Sequence, residues 1–320
     1  MDRNKRHSAG ILPVFLLLCL LICACGGAMQ EPETQAEITV LPEEITAAEA
    51  LVGSPVHAAE ALVYHPGNCT VTFLDVGQGH AALFRAGDAA VMIDGGGQET
   101  SSYVVSWLQS QGVKKLDLMV ATHGDADHIS GLIGVMNTVS VQEIWMTEMT
   151  EETRTVQSFL RTAREKEIPA LIPAPGDQRS INGMTFTLLS PFETDPEIEN
   201  NNSLVVRMDY GKIRVLVTGD AQTEAEERMI AEGMDVSSDI LLCGHHGSAN
   251  SSSKAFLQAV HPRFAVISCG KDNPYEHPHD ATIRRLRQAG AAVFRTDLQG
   301  TAKCVIDGES VTWNLEPWEP

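Results

Sequence analysis

The stretch at residues 121–128 reads Ala-Thr-His-Gly-Asp-Ala-Asp-His, and it constrains the fold of this chain more than any other segment. It follows an apolar run typical of a buried strand, and it contains four ionisable side chains within six residues: His123, Asp125, Asp127 and His128. On a loop, positions 123, 125 and 127 can point the same way, and the turn adds His128. Because imidazole and carboxylate together suit Zn²⁺, Mn²⁺ or Fe²⁺, we expect a metal site at the end of this strand.

Two later segments also place potential ligands where a strand ends. Leu216-Val217-Thr218-Gly219 leads into Asp220, and Leu241-Leu242-Cys243-Gly244 leads into the pair His245 and His246. Taken singly, Asp220 reads equally well as a helix N-cap and His245 as a hydrogen-bonded core histidine. Together with the 121–128 stretch they predict one site, because the active sites of α/β folds lie where the strands stop.

The order of predicted elements indicates an α/β fold. Apolar or alternating runs at 70–74, 81–84 and 89–93 precede a helix at 101–111, a strand at 116–121 and a short helix from Gly131. The second half repeats this scheme of several strands followed by strand–helix alternation. The sequence therefore predicts a four-layer αββα sandwich, with two mixed sheets face to face and helices outside.

The N-terminus has the pattern of a targeting segment. Residues 1–7 are basic, 11–23 are almost entirely apolar, and Ala24-Cys25-Gly26-Gly27 follows. Ile22-Cys23-Ala24-Cys25 resembles a bacterial lipobox, which predicts lipidation at Cys25. The alternatives are a plain signal peptide or an uncleaved anchor, and all three place the domain outside the cytoplasm. We therefore assign 1–25 to a signal or lipoprotein segment, 26–68 to an acidic flexible linker and 69–320 to the domain that contains the candidate metal ligands.

Charge and cysteine content exclude some functions. The formal net charge is −19, and residues 26–68 contain seven glutamates and no Lys or Arg. A basic nucleic-acid-binding face is therefore not indicated by composition. The four cysteines of residues 69–320 are scattered with no C-x-x-C spacing, so neither a zinc ribbon nor a dense disulfide framework is expected.

An ordered set of motifs makes the resemblance to a family specific. The motifs are Phe73-Leu74-Asp75-Val76-Gly77-Gln78-Gly79, Met92-Ile93-Asp94-Gly95-Gly96, Thr122 to Gly131, Asn200 to Val205, Thr218 to Ala221, His245 to Ser248, Asn273 to His279 and Arg295 to Thr301. This set, spanning about residues 69–314, resembles the metallo-β-lactamase superfamily. Within it, the set is most similar to the competence-type branch represented by the extracellular hydrolase domain of ComEC.

The resemblance implies two divalent metal ions, Zn²⁺ or Mn²⁺, that share a hydroxide. The implied ligands are His123 and Asp125 for one ion, Asp127, His128 and His245 for the other, and Asp220 as the bridge. The superfamily supplies one more His between His128 and Asp220, but no His stands there and Asn200–Ser203 takes its place. That leaves the first ion, the one assigned to His123 and Asp125, with a poorer and oxygen-rich set of ligands, which favours Mn²⁺ or weaker occupancy over tight Zn²⁺.

The resemblance also implies roles around the metals. Catalytic roles are expected for Asp127, Asp220 and His277, and substrate contacts are expected at Asn201, Ser203, His246, Lys271 and His279. Asp75, Gln78 and Asp94 are expected to order the ligand loops through hydrogen bonds. His80 replaces the Asp usual in the family and is open to three interpretations: an extra ligand, a substrate contact at the pocket edge, which we favour, or a neutral change.

The function that follows is a metal-dependent extracellular hydrolase, a phosphodiesterase or nuclease acting on DNA or a related phosphodiester. The alternatives are a hydrolase of a small ester, lactone or β-lactam, and a non-catalytic metal-binding lipoprotein. The expected partners are a phosphodiester or nucleic-acid substrate and the outer face of the cell membrane. The sequence indicates no protein partner.

Overall fold

The computed structural model describes residues 67–149, 153–195 and 197–319. The segment assigned to 1–25, the lipidation predicted at Cys25 and nearly all of the linker assigned to 26–68 lie outside these residues. Within the described part of the chain, no helix is long and apolar enough to cross a membrane.

The strands of the described residues form two large sheets and one small one. In chain order they are β1 (Cys69–Phe73), β2 (Ala82–Ala86), β3 (Ala89–Ile93), β4 (Lys115–Leu116), β5 (Leu118–Ala121), β6 (Ser140–Val141), β7 (Ile144–Met146), β8 (Ala170–Leu171), β9 (Gln178–Ile181), β10 (Met184–Ser190), β11 (Val205–Tyr210), β12 (Ile213–Val217), β13 (Ile240–Leu242), β14 (Phe264–Ile267), β15 (Ala292–Arg295), β16 (Ala302–Ile306) and β17 (Val311–Trp313). The first sheet has the order β17-β16-β1-β2-β3-β5-β7-β8, and the second has the order β15-β14-β13-β12-β11-β10-β9. Strands β4 and β6 pair with each other.

The helices of the described residues cover the outer faces of the two sheets. They are α1 (Ser101–Ser110), α2 (Ala126–Thr138), α3 (Arg154–Glu165), α4 (Thr223–Ala231), α5 (Lys254–Val260), α6 (Asp280–Gln288) and the short α7 (Thr296–Gln299). Short 3₁₀ turns occupy Gln98–Thr100, Glu199–Asn202 and Gly244–Gly247. The mixture of parallel and antiparallel pairs in each sheet matches the expectation of mixed sheets.

The buried apolar side chains fall into three layers. The central layer lies between the sheets, where residues of β1 and β2 such as Phe84 pack against residues of β10 and β11 such as Phe186, with ring centroids 5.6 Å apart. A second layer joins the first sheet to α1, α2 and α3, and a third joins the second sheet to α4, α5 and α6. The predicted four-layer αββα sandwich is therefore confirmed.

The helix after β5 begins earlier than the sequence predicted. It starts at Ala126 rather than Gly131, with Asp125 as N-cap, so Asp127 and His128 lie in its first turn. This helix packs very closely on the end of β3, since a Cβ atom at Gly131 would lie 1.8 Å from the carbonyl oxygen of Gly95. The close approach is possible only because Gly131 lacks a side chain, and it brings His128 against the residue that follows β3.

Candidate metal centre

The ends of several strands converge on one buried point. Asp94 directly follows β3, His123 lies two residues after β5, and Asp220 and His246 lie on the loops that follow β12 and β13. A backbone hydrogen bond of 2.8 Å, donated by Leu204 to the carbonyl of Thr122, joins the two halves beside this point. The arrangement is the one expected for the carboxyl ends of parallel strands in an α/β fold.

Asp220 is at the centre of the site. Its Oδ1 lies 3.2 Å from Nε2 of His128, and its Oδ2 lies 3.3 Å from Nε2 of His246. The Nε2 atoms of His123 and His245 are each 3.9 Å from Oδ2. The two carboxylate oxygens of Asp220 thus face different sets of imidazoles, which is the geometry of a group able to bridge two cations.

Two further carboxylates flank these imidazoles at the mouth of the site. Oδ2 of Asp127 lies 3.3 Å from Nε2 of His246, and Oδ2 of Asp125 lies 3.5 Å from Nε2 of His123. The side chains of Asp125 and Asp127 are 39% and 34% exposed, so both carboxylates can be reached from solvent. The N-terminal end of α2 favours negative charge at this position.

The ligand-type atoms divide into two groups. Four fully or almost fully buried side chains have ligand atoms within 4.8 Å of one another, and we call them the inner cluster: His80, His128, Asp220 and His246. We call His123, Asp125 and His245 the outer group, because the two histidines lie 3.9 Å from Oδ2 of Asp220 and Asp125 lies beside His123. Asp220 lies between the two groups.

Buried polar atoms without hydrogen-bond partners test whether these residues fit a metal. Most such side-chain atoms of the described residues belong to this site: both ring nitrogens of His80, Nε2 of His123, His128 and His246, and Oδ1 of Asp220. Leaving a buried polar atom unpaired costs about 1–3 kcal/mol. Imidazole and carboxylate donors of this kind fit a divalent transition metal, so the orphaned atoms are explained by a site for such ions.

The electrostatics of the inner cluster point the same way. Burial alone lowers the pKa of His246, but the neighbouring carboxylates of Asp220 and Asp127 outweigh it and raise the pKa to about 9. Burial also acts against the charged forms of His128 and Asp220, yet their mutual attraction holds the pKa of His128 well above its usual range and that of Asp220 well below it. The carboxylates therefore remain ionised, and their charge is balanced either by protons on the imidazoles or by a bound cation.

Asp94 orders the loop as the sequence suggested. Its Oδ1 accepts a hydrogen bond of 2.9 Å from the backbone N–H of Thr122, and its Oδ2 accepts one of 2.8 Å from the Thr122 hydroxyl. Oδ2 also lies 2.8 Å from Nδ1 of His128. Asp94 thereby fixes the ring of His128 with Nε2 turned toward Asp220.

The structure places the two adjacent histidines differently from the prediction. His246, expected to contact substrate, is buried in the inner cluster, where its Nδ1 lies 3.0 Å from the carbonyl oxygen of Ser268. His245, expected to complete the second metal, is more exposed and belongs to the outer group. Both residues adopt left-handed backbone conformations, with φ of 49° and 56°, so the loop turns at each of them and sends the two rings to different groups.

Two residues of the Asn200–Ser203 stretch do not face the site as substrate contacts. Ser203 is fully buried, and its Oγ accepts a hydrogen bond of 3.0 Å from the backbone N–H of Asp220. Asn201 is also buried, and its Oδ1 accepts a hydrogen bond from the backbone of Gln222. Asn200 is the residue that reaches the site, with Nδ2 3.4 Å from Nδ1 of His245. Because Glu199–Asn202 form a 3₁₀ turn, the side chains of Asn200 and Asn201 point in different directions.

The residues after β14 form the rim of the site. The His277 ring lies 5.4 Å from that of His245, and its Nδ1 lies 3.4 Å from Nε2 of Gln78. Burial and the nearby His246 lower the pKa of His277 to about 4, so it is neutral at neutral pH. The rim therefore offers a neutral imidazole at His277, and the catalytic role expected for this residue stays a prediction.

The other predicted rim residues have structural or exposed positions. His279 accepts a hydrogen bond of 2.9 Å at Nδ1 from the backbone N–H of Ala249, and Lys271 is exposed. Asp75 stabilises its own turn by accepting a hydrogen bond from the backbone N–H of Gly77. Gln78 holds the rim rather than a metal loop, since its Oε1 accepts from the backbone N–H of Gly270.

His80 is the residue whose position the sequence analysis misjudged most. It is fully buried and its ring lies 4.9 Å from that of His128 and 4.6 Å from that of His246, so it is not at the edge of the pocket. The backbone before it approaches the ligand loop closely, since a Cβ atom at Gly79 would lie 2.2 Å from the Asp127 carbonyl oxygen. This approach is a tertiary contact, which the sequence does not show.

Sequence comparison identifies a family and several relatives. The sequence profile of the Metallo-beta-lactamase superfamily matches residues 74–271. The chain is 30% identical over 267 residues to ComE operon protein 3 of Bacillus subtilis, which covers 77% of this chain and 34% of that protein. It is 34% identical over 233 residues to Competence protein ComA of Neisseria gonorrhoeae, covering 72% of this chain and 31% of that protein. The chain thus spans about a third of the length of these relatives.

Solved structures show the same fold. The metallo-beta-lactamase fold protein YhfI from Bacillus subtilis superposes with a TM-score of 0.50 and 14% identity, covering 71% of this chain and 96% of that one. CmlA, a diiron beta-hydroxylase from Streptomyces venezuelae, also gives a TM-score of 0.50 at 14% identity, covering 76% of this chain and 54% of that one. At this identity the likeness concerns the fold alone.

Proposed function

The chain belongs to the metallo-beta-lactamase superfamily, and we propose that it is a metal-dependent phosphodiesterase or nuclease that acts outside the cytoplasm on DNA or a related phosphodiester. The observation that carries this proposal is Asp220, whose Oδ1 faces His128 of the inner cluster and whose Oδ2 faces both His246 of the inner cluster and the two histidines of the outer group. A carboxylate between two donor sets suits the paired ions of two-metal phosphodiesterases. The similarity to competence proteins favours DNA as the substrate.

The inner cluster and the outer group would each hold one divalent ion. Such ions, when bound, supply Lewis-acid activation of a phosphoryl group and of water. Asp94 and Ser203 keep the bridging and ligating side chains in place, through His128 and the backbone of Asp220 respectively. The preorganised donors therefore need little rearrangement to receive the ions.

Proton transfer and substrate contact fall to residues at the mouth. The pKa of Asp127 is low because hydrogen bonding and attraction from His246 and His128 outweigh the effect of burial. Asp127 is thus ionised, which a proton acceptor requires, and its side chain is open to solvent. The neutral His277 and Asn200 at the rim can hydrogen-bond to phosphoryl oxygens.

The substrate is expected to be a single strand or a small diester rather than a tightly bound duplex. The chain has a formal net charge of −19, which opposes the phosphate contacts that dominate duplex affinity. Divalent ions at the site would attract one phosphodiester group locally. This combination favours cleavage of accessible diesters over strong general DNA binding.

A set of hydrolysis assays tests the proposal. The full chain is incubated with bis-p-nitrophenyl phosphate, single-stranded DNA, p-nitrophenyl acetate and nitrocefin, each with Mn²⁺ or Zn²⁺. We expect metal-dependent cleavage of the first two, abolished by Asp127→Ala and by His128→Ala but retained by Asp88→Asn, a change in the exposed turn between β2 and β3. Turnover of only the ester or only nitrocefin would replace the proposal with a small-molecule hydrolase, and no metal-dependent turnover would refute it.

The location proposed for this activity rests on the N-terminal segment. The basic residues 1–7, the apolar residues 11–23 and the lipobox-like Ile22-Cys23-Ala24-Cys25 support export and attachment of a lipid at Cys25. Radiolabelled palmitate added to expressing bacteria should label the full chain and not Cys25→Ser. Equal labelling of both, or of neither, would contradict lipidation at this residue.

A further inference from the structure

We propose that His80 serves as a metal ligand within the inner cluster, where it makes that position rich in nitrogen and selective for Zn²⁺ over Mn²⁺. The proposal rests on the metal centre of the proposed function but not on its substrate.

The surroundings of His80 lack the partners that a buried imidazole needs. Its side chain is fully buried, and neither ring nitrogen has a hydrogen-bond partner among the described residues. Nδ1 lies 4.0 Å from Oδ1 of Asp220, too far for a hydrogen bond but suitable for two ligands of one ion. A buried polar group without a partner is destabilising, so this ring requires an occupant of the cluster.

The backbone holds His80 firmly at this place. Its carbonyl oxygen accepts a hydrogen bond of 2.8 Å from the N–H of Gly96, and the carbonyl of the preceding Gly79 accepts one of 2.8 Å from the hydroxyl of Ser268. Both β3 and β14 therefore anchor the turn that carries it. These bonds fix the backbone of His80, and its buried ring lies between the rings of His128 and His246, 4.9 and 4.6 Å away.

The chemistry of the donors sets the metal preference. The inner cluster with His80 offers three imidazoles and one carboxylate, a set that suits Zn²⁺. The outer group offers two imidazoles and the partly exposed Asp125, in a more open arrangement better suited to weaker occupancy. The inner position would then fill first and with Zn²⁺, whereas the Mn²⁺ preference or weaker occupancy expected from the missing His concerns the ion beside His123 and Asp125 in the outer group.

Metal binding by the full chain tests the proposal without relying on turnover. The affinities for Zn²⁺ and Mn²⁺ are measured by chelator competition for the wild type, His80→Ala and His80→Asp. His261→Asn, an exposed change at the end of α5, is the matched control. X-ray absorption of each protein with sub-stoichiometric Zn²⁺ counts the imidazole ligands, and circular dichroism checks folding.

We expect His80→Ala to lower the Zn²⁺ affinity of the tighter position by roughly 100-fold or more, since losing even an outer partner of a ligand costs about 10- to 100-fold. The same variant should lose one imidazole from the absorption spectrum. His80→Asp should still bind a divalent ion, with the metal preference of the inner cluster moved from Zn²⁺ toward Mn²⁺. If His80→Ala fails to fold, the metal preference of His80→Asp tests the inference instead. Unchanged Zn²⁺ affinity and imidazole count in a folded variant would overturn the inference.

The metal-binding test of His80 can succeed or fail independently of the hydrolysis assays that test the proposed function. A wild-type chain that binds Zn²⁺ through His80 but cleaves no phosphodiester would refute the proposed function and leave this inference standing. A His80→Ala variant that cleaves phosphodiesters and binds Zn²⁺ as well as the wild type does would refute this inference and leave the proposed function standing.

Discussion

Oδ2 of Asp94 lies 2.8 Å from Nδ1 of His128, and this contact determines which nitrogen of the histidine faces the metal centre. The opposite nitrogen, Nε2, lies 3.2 Å from Oδ1 of Asp220. Carboxylate–imidazole pairs of this kind orient ligand rings and increase their basicity. The close packing of α2 on the end of β3 makes the contact possible, because it holds His128 beside the residue that follows β3.

Replacing Asp94 should weaken metal binding without changing any ligand. We expect Asp94→Asn to lower the affinity for the first divalent ion by about 10- to 100-fold, because the amide stabilises the ligating imidazole less well than a carboxylate does. Chelator competition with Zn²⁺ or Mn²⁺ measures the effect. The exposed Asp88→Asn serves as control, and equal affinities for the two variants would contradict the role assigned to Asp94.

Replacing Ser203 should affect stability rather than substrate affinity. Ser203→Ala removes the oxygen that accepts from the buried backbone N–H of Asp220, so we expect a loss of about 1–3 kcal/mol in the free energy of unfolding. Urea denaturation measures this loss, and Ser106→Ala on the exposed face of α1 should stay within about 0.5 kcal/mol of wild type. A raised KM with unchanged stability would instead restore Ser203 as a substrate contact.

Adding a methyl group at Gly131 should displace α2. In an unconstrained helix, Gly→Ala stabilises by about 1 kcal/mol. Here the new Cβ would lie 1.8 Å from the carbonyl oxygen of Gly95, so we expect Gly131→Ala to be destabilising and to reduce metal affinity through the shift of His128. The exposed Asn137→Ala on the same helix should leave both quantities near wild type. A stabilised Gly131→Ala variant would show that the close approach is absent.

His277 should remain uncharged through the neutral pH range. Burial lowers its pKa to about 4, and the neighbouring imidazoles of His246, His245 and His279 act in the same direction. Because the pKa of His277 is lowered, its neutral form persists as the pH falls through 7 and is lost only near the lowered pKa. Bound cations would lower this pKa further. NMR titration of the full chain, with His277→Gln to assign the resonance, should show no midpoint for His277 between about pH 5.5 and 8. A midpoint near the ordinary histidine value would contradict this.

The sequence was sufficient for the fold and for the ligand loop. Local apolar patterns predicted strands of the first sheet within a residue or two, including β3 at its observed bounds. The loop at 121–128 was recognisable because its donors are close in sequence, and Asp94 because it directly follows a buried strand. These features depend on short-range patterns, which a single sequence carries.

The assignments that failed depend on tertiary geometry. Two left-handed backbone conformations decide whether the ring of His245 or that of His246 points into the site. The residue types at these positions do not predict such conformations. Ser203 and Asn201 lie in a 3₁₀ turn whose orientation is fixed by long-range bonds to the Asp220 and Gln222 backbone. His80 is buried because its turn is anchored to strands far away in the sequence. None of these contacts leaves a local pattern.

The most direct test of the account is the rate of bis-p-nitrophenyl phosphate hydrolysis as a function of metal bound per chain. The full chain is stripped with a chelator, reloaded stepwise with Zn²⁺ or Mn²⁺, and compared with Asp220→Asn, which removes the charge of the residue between the two donor groups. We predict no turnover in stripped protein, turnover that rises with bound metal, and loss of both metal and activity in Asp220→Asn. Full turnover by the stripped protein, or metal-loaded wild type without turnover, would contradict it.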